Sequence, residues 1–140
     1  MRAKYFNIKL STLVLFLTVY NYSLGQRLKI KWADNYGREF GVIAPTGEFS
    51  YSMLPGDKLE YEEYGDFAGQ ISKVGNVRIE YQRYGDLKGK VISVGSVKLE
   101  YEEYGPSKGR LWKVGGLKIE YEEYGPSKGR IYRTTGQVLY

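Results

Sequence analysis

Glutamates come in pairs along this chain. Glu62-Glu63, Glu102-Glu103 and Glu122-Glu123 share one context, Tyr-Glu-Glu-Tyr-Gly, and Gln82-Arg83 breaks the series. Two carboxyl groups at a suitable separation can run glycoside hydrolysis. An active site, however, is singular and broken in symmetry, whereas a residue repeated from unit to unit belongs to the scaffold. The glutamates therefore read as solvated charge and as partners in cross-strand salt pairs, each worth little at a surface. Nothing in their spacing makes oxygens converge as calcium requires. The chain has neither histidine nor cysteine, so Ser-His-Asp machinery, thiolate chemistry and imidazole or thiolate zinc sites are excluded. The expectation is a protein that is not an enzyme, with no catalytic residue, no metal and no cofactor.

Tyrosine is the other recurring type. Tyr61, Tyr81, Tyr101 and Tyr121 alternate with charged neighbours and are assigned to the core. Tyr64, Tyr84, Tyr104 and Tyr124 come one per unit, where longer loops begin, and would form a row along one edge of the array. They are the candidate binding residues. One reading makes them a stacking ladder for a sugar chain or a peptide. The other, which carries more weight, packs each ring over its own loop on Leu111 or its equivalent, because tyrosine supplies apolar area with a wet tip.

The elements that position these residues are set by a strict internal repeat. Residues 54–73, 74–93, 94–113 and 114–133 align as four units of 20 residues without a gap. A degenerate first unit occupies 26–53, where Tyr36-Gly37, Gly41 and Ile43 keep the spacing of Tyr64-Gly65, Gly69 and Ile71, and 134–140 reads as a partial C-terminal unit. Irregular first and last units are characteristic of capped arrays. Within a unit, Val97-Lys98-Leu99-Glu100-Tyr101 alternates with the period of a half-buried strand, and Arg110-Leu111-Trp112-Lys113-Val114 is its return. Gly75-Asn76, Gly95-Ser96 and Gly115-Gly116, flanked by apolar residues, are two-residue hairpin turns that require positive φ. Tyr104-Gly105-Pro106-Ser107-Lys108-Gly109 is the longer loop, where proline cannot continue a strand.

This spacing predicts a register. Across the tight turn Val114 faces Leu117. Across a six-residue loop Glu103 faces Arg110, Tyr101 faces Trp112, Glu100 faces Lys113 and Leu99 faces Val114, and the next unit repeats this as Glu123–Arg130, Tyr121–Tyr132 and Glu120–Arg133. One face then reads Val, Leu or Ile, Tyr, Trp; the other reads Lys and Glu. Two pairs, Lys113–Lys118 and Arg83–Lys90, set like charges opposite each other. The fold class is all-β: an antiparallel meander of tandem hairpins, ten to twelve strands, with one apolar face that needs a cover. With no amphipathic helix after residue 25, a single sheet must curl into a barrel, shell or coiled ribbon, or two copies must pair.

Residues 1–25 read as a cleavable signal-peptide helix. Arg2, Lys4 and Lys9 precede an apolar run from Leu10 to Tyr20, and Ser23-Leu24-Gly25 offers small residues for cleavage before Gln26. About eleven apolar residues are too few to cross a bilayer as a helix. Membrane contact is thus transient, and the expected location is outside the cytoplasm, periplasmic or secreted. The formal charge of +5 drops to about +2 once those three cations leave, too even a mixture for the basic stripe that nucleic-acid binding uses.

Tyr61-Glu62-Glu63-Tyr64-Gly65 and Tyr121-Glu122-Glu123-Tyr124-Gly125, with Gly109-Arg110 and Gly129-Arg130 downstream, resemble the YD repeat of the Rhs family over residues 54–133. That signature is Tyr-Asp-x-x-Gly-Arg. Here glutamate or Gln82 replaces the aspartate, and no arginine follows Gly65 or Gly125. The resemblance implies a hairpin per repeat coiling into a hollow shell. MORN repeats, also rich in tyrosine and glycine, fit less well. The function expected is that of an exported, non-catalytic structural or interaction module whose partner is an unknown protein or a glycan. The alternative is a carbohydrate-binding or hydrolysing envelope protein that uses the tyrosine row and the repeated glutamates.

Overall fold

A computed structural model describes residues 27–139; the signal-peptide reading lies outside them. Eleven strands in antiparallel pairing make up the fold, and no α-helix occurs among the described residues. They fall into two sheets. β1 (Leu28–Ala33), β2 (Glu39–Ala44) and β3 (Glu48–Tyr51) form a three-stranded sheet in that order. The second is a meander of eight strands: β4 (Leu59–Tyr61), β5 (Ile71–Val74), β6 (Val77–Tyr81), β7 (Val91–Val94), β8 (Val97–Tyr101), β9 (Leu111–Val114), β10 (Leu117–Tyr121) and β11 (Ile131–Thr135).

The all-β meander is therefore present, but the expectation of a single sheet curled on itself is not met. β4 and β11 lie at opposite ends of the eight-stranded sheet and do not pair, so no barrel closes. The cover comes from the segment read as a degenerate first unit. Leu28, Ile30 and Trp32 of β1 and Phe40, Val42 and Ala44 of β2 are buried in one cluster with Val74, Ile79, Val94, Leu99, Val114 and Ile119 of the meander. A second layer of strands satisfies the apolar face, which removes the drive toward closure. Arg38, at the start of β2, pins the layers. Its guanidinium donates to Asp57 and Asp34 at 2.8 Å and to the Asn76 side chain at 2.9 Å. At the far end Val138 folds back into the core, its carbonyl accepting from Gly116 at 3.2 Å.

Within the meander the tight turns fall where glycine demands them. Gly75, Gly95 and Gly115 take φ of +59°, +59° and +57°, a region closed to most side chains. Val114 faces Leu117, Leu99 faces Val114, and Glu100 faces Lys113, all as the spacing predicts. Glu120 faces Arg133 as predicted too. The predicted pairs nearer the long loops are off by one residue. Tyr101 faces Leu111 rather than Trp112, because Trp112 is an extra residue in a β-bulge between Glu100 and Tyr101. The same irregularity recurs in every unit and places Tyr121 opposite Ile131 instead of Tyr132. Leu111 and Val114 both face inward as a result and are fully buried. Glu103 does not meet Arg110; the backbone N–H of Glu102 donates to the Arg110 carbonyl at 2.9 Å. Arg83 and Lys90 diverge for the same reason. Arg83 pairs with Glu62 at 3.1 Å over the Phe67 ring, and Lys90 donates to the Thr46 carbonyl at 2.8 Å. Lys113 does face Lys118, with Glu100 at 3.8 Å beside it.

Tyr81, Tyr101 and Tyr121 are core, as expected, and each hydroxyl reaches one strand back. They donate to the carbonyls of Ile71 at 2.6 Å, Val91 at 2.8 Å and Leu111. Tyr61 departs from the series: it lies on the edge strand and is 50% exposed.

Candidate functional site

Each long loop is closed by the same backbone bonds. The N–H of Lys88, Lys108 and Lys128 donates to the carbonyl three residues back, Gly85, Gly105 and Gly125, at 3.1–3.2 Å, and Ala68 does so to Gly65 at 3.2 Å. The N–H of Gly69, Gly89, Gly109 and Gly129 then returns to the carbonyl of Glu62, Gln82, Glu102 and Glu122 at 2.7–2.8 Å. Positive φ at the glycine after each tyrosine, +79° to +84° at Gly65, Gly85, Gly105 and Gly125, turns the chain sharply there. Repetition of this geometry sets one tyrosine per loop. With two strands to a unit, successive rings are spaced by about 10 Å.

Tyr64, Tyr84, Tyr104 and Tyr124 are 83%, 81%, 82% and 82% exposed. The rings do not pack over their loops, and Leu111, the suggested support, is buried on the opposite face. Neighbouring loops are tied by charge. Lys88 bonds Asp66, and Lys108 bonds Asp86 at 2.8 Å. The hydrogen bonds from these lysines hold Asp66 and Asp86 below the usual carboxylate range. Pro106 and Pro126 occupy the corresponding positions of the last two units, so the rung cannot recur there.

Between the loops of Tyr84 and Tyr104 lies a cleft of about 840 Å³. Trp112 and Ile92 line it, together with Tyr84, Tyr104 and the acids Glu100, Glu102 and Glu103. Trp112 and Ile92 are the bulged residues of β9 and β7 and are half-buried; Trp112 stands outside the core cluster, and Ile92 packs against its edge. Sequence reasoning placed Trp112 inside and so missed it as part of a surface. The signal was there: Leu111-Trp112-Lys113-Val114 carries three apolar residues that strict alternation cannot place on one face. Val91-Ile92 and Ile131-Tyr132 break alternation in the same way.

The arrangement offers ring faces, an indole and carboxylate acceptors on a rigid scaffold. Among the described residues no three acidic side chains converge on a point that could hold a metal ion, and no helix is long and apolar enough to cross a membrane. No family model, curated protein or solved structure matches the chain.

Proposed function

We propose that this chain is exported and acts without catalysis, as an interaction module whose contact surface is the row of Tyr64, Tyr84, Tyr104 and Tyr124. One observation carries the reading: four phenol rings stand about four-fifths exposed on loops of repeated geometry. Rings so exposed add little to the fold's own burial, while tyrosine is well suited to contact surfaces because it offers large rigid area and a polar tip. The charged face of the strands supports a non-catalytic reading, since Glu60, Glu100 and Glu120 form cross-strand ion pairs with Lys73, Lys113 and Arg133, and of the paired loop glutamates Glu62 meets Arg83. The hairpin in each unit supports kinship with YD-type repeats as part of this proposal.

A second reading is favoured by the cleft. A saccharide stacked on Trp112 between Tyr84 and Tyr104 would find Glu102 and Glu103 as hydroxyl acceptors. Retention on a panel of immobilised polysaccharides separates the two readings. Loss of retention in Tyr104→Ala supports a glycan ligand, and no retention on any polysaccharide leaves a protein partner as the proposed one. Export is tested by sequencing the N-terminus of the protein recovered outside the cytoplasm. Gln26 as first residue is expected, and an uncleaved cytoplasmic chain overturns the proposal.

A further inference from the structure

The two ends of the eight-stranded sheet are unfinished in complementary ways. β4 occupies the place that β6, β8 and β10 hold in later units, and each of those pairs on both sides. β11 occupies the place of β5, β7 and β9, which also pair on both sides. Among the described residues, β4 lacks the neighbour that β5 gives β6, and β11 lacks the neighbour that β10 gives β9. The tyrosine rung is interrupted at the same two places. The hydroxyls of Tyr81, Tyr101 and Tyr121 each bond a carbonyl ten residues back, at Ile71, Val91 and Leu111. By the same step, Tyr61 lacks an acceptor of this kind, and Ile131 stands where the next acceptor would be. Each edge strand also carries an exposed aromatic side chain, Tyr61 on β4 and Tyr132 on β11.

From this fit we infer that the protein associates head to tail with further copies of itself, β11 of one chain pairing antiparallel with β4 of the next. The register follows from the β9–β10 pair. Lys113 faces Lys118 there, so Arg133 faces Lys58 of the next copy, and the Tyr61 hydroxyl of that copy meets the Ile131 carbonyl. Unpaired strand edges are templates for such addition. Because the two surfaces differ, the contact is heterologous and each added copy presents a fresh edge, which gives an open row rather than a closed dimer. Such a row continues the line of loop tyrosines from chain to chain. The inference stands independently of what those tyrosines contact.

Sedimentation velocity of the purified protein over a concentration series tests this. The expected result is a mass that climbs past the dimer without a plateau. Thr134→Pro should abolish the climb: Thr134 takes the place of Val114, whose amide faces the following strand, so proline removes only an outward donor from an edge. Tyr61→Phe should shift the climb to higher concentration. Because the chain has no cysteine, Lys58→Cys and Arg133→Cys chains can be mixed under oxidised glutathione, and a mixed disulfide between them is expected. A monomer at every concentration, a dimer plateau indifferent to Thr134→Pro, or no mixed disulfide would overturn the inference.

Discussion

The Tyr101 hydroxyl donates to the Val91 carbonyl at 2.8 Å, joining two strands ten residues apart through a ring that is almost wholly buried. Tyr81 and Tyr121 repeat the bond one unit earlier and one unit later. Each unit is thus fastened to the one before it by a side chain as well as by backbone pairing. Tyr101→Phe keeps the ring and leaves the Val91 carbonyl without its partner. The expected loss is about 1–2 kcal/mol, read as a lower urea midpoint at unchanged slope.

Burial pushes the phenols of Tyr81, Tyr101 and Tyr121 above the ordinary tyrosine range. A group whose pKa is raised by folding stabilises the native state fully below its unfolded value, about 10 for tyrosine. That stabilisation is lost as pH rises from there through the folded value. Stability should therefore fall above about pH 10, and these three rings should ionise together with unfolding rather than ahead of it. Ultraviolet titration followed alongside circular dichroism checks this.

Arg38 and Asp57 give the acid counterpart. The hydrogen bond from Arg38 holds the Asp57 carboxyl at about 2, below its ordinary 3.8. The contribution is complete above the unfolded value and disappears as pH falls from 3.8 toward 2. Asp57→Asn should flatten stability in that window and lower it at neutral pH. The effect should exceed that of breaking the exposed Arg27–Glu48 pair, which lies at 3.0 Å.

The bulge makes opposite predictions for adjacent residues. Leu111 is fully buried, so Leu111→Ala should cost about 2–5 kcal/mol. Trp112 faces outward, and Trp112→Ala should cost about 1 kcal/mol or less despite the larger side chain removed. Without the bulge the order would be reversed.

Glycines differ by what surrounds them. Gly105 has φ of +81° and open space around a would-be Cβ, so Gly105→Ala carries backbone strain alone, about 1–2 kcal/mol. At Gly115 a Cβ would overlap the Val138 carbonyl oxygen as well. Gly115→Ala should therefore be the more damaging change and should release the C-terminal segment, visible as faster amide exchange at Gly116, whose N–H bonds Val138.

Much of the meander was legible because glycine and apolar periodicity are local signals. Gly75, Gly95 and Gly115 mark turns by their need for positive φ, and Val97-Lys98-Leu99-Glu100-Tyr101 shows its inner face by alternation. The bulge was less visible, since its cost and gain lie in pairing and packing, yet the adjacent Leu111 and Trp112 announced it. The second sheet was not legible. Leu28, Ile30 and Trp32 alternate like any strand, and nothing local says that they cover another sheet instead of extending it. Tyr61 was misplaced in the core because its repeat position matched, while its burial depends on a neighbouring strand that β4 does not have. The loop tyrosines were legible as a row, but their exposure depends on where the loop support goes, and the bulge sends Leu111 inward.

Replacing Tyr64, Tyr84, Tyr104 and Tyr124 together by serine and measuring the free energy of unfolding tests the central claim most directly. The rings are proposed to serve contact rather than fold, so the change should stay within about 0.5 kcal/mol for each ring, as for ordinary surface positions. A total loss above about 4 kcal/mol would show that the row holds the protein together, and the proposed contact surface would fall with it.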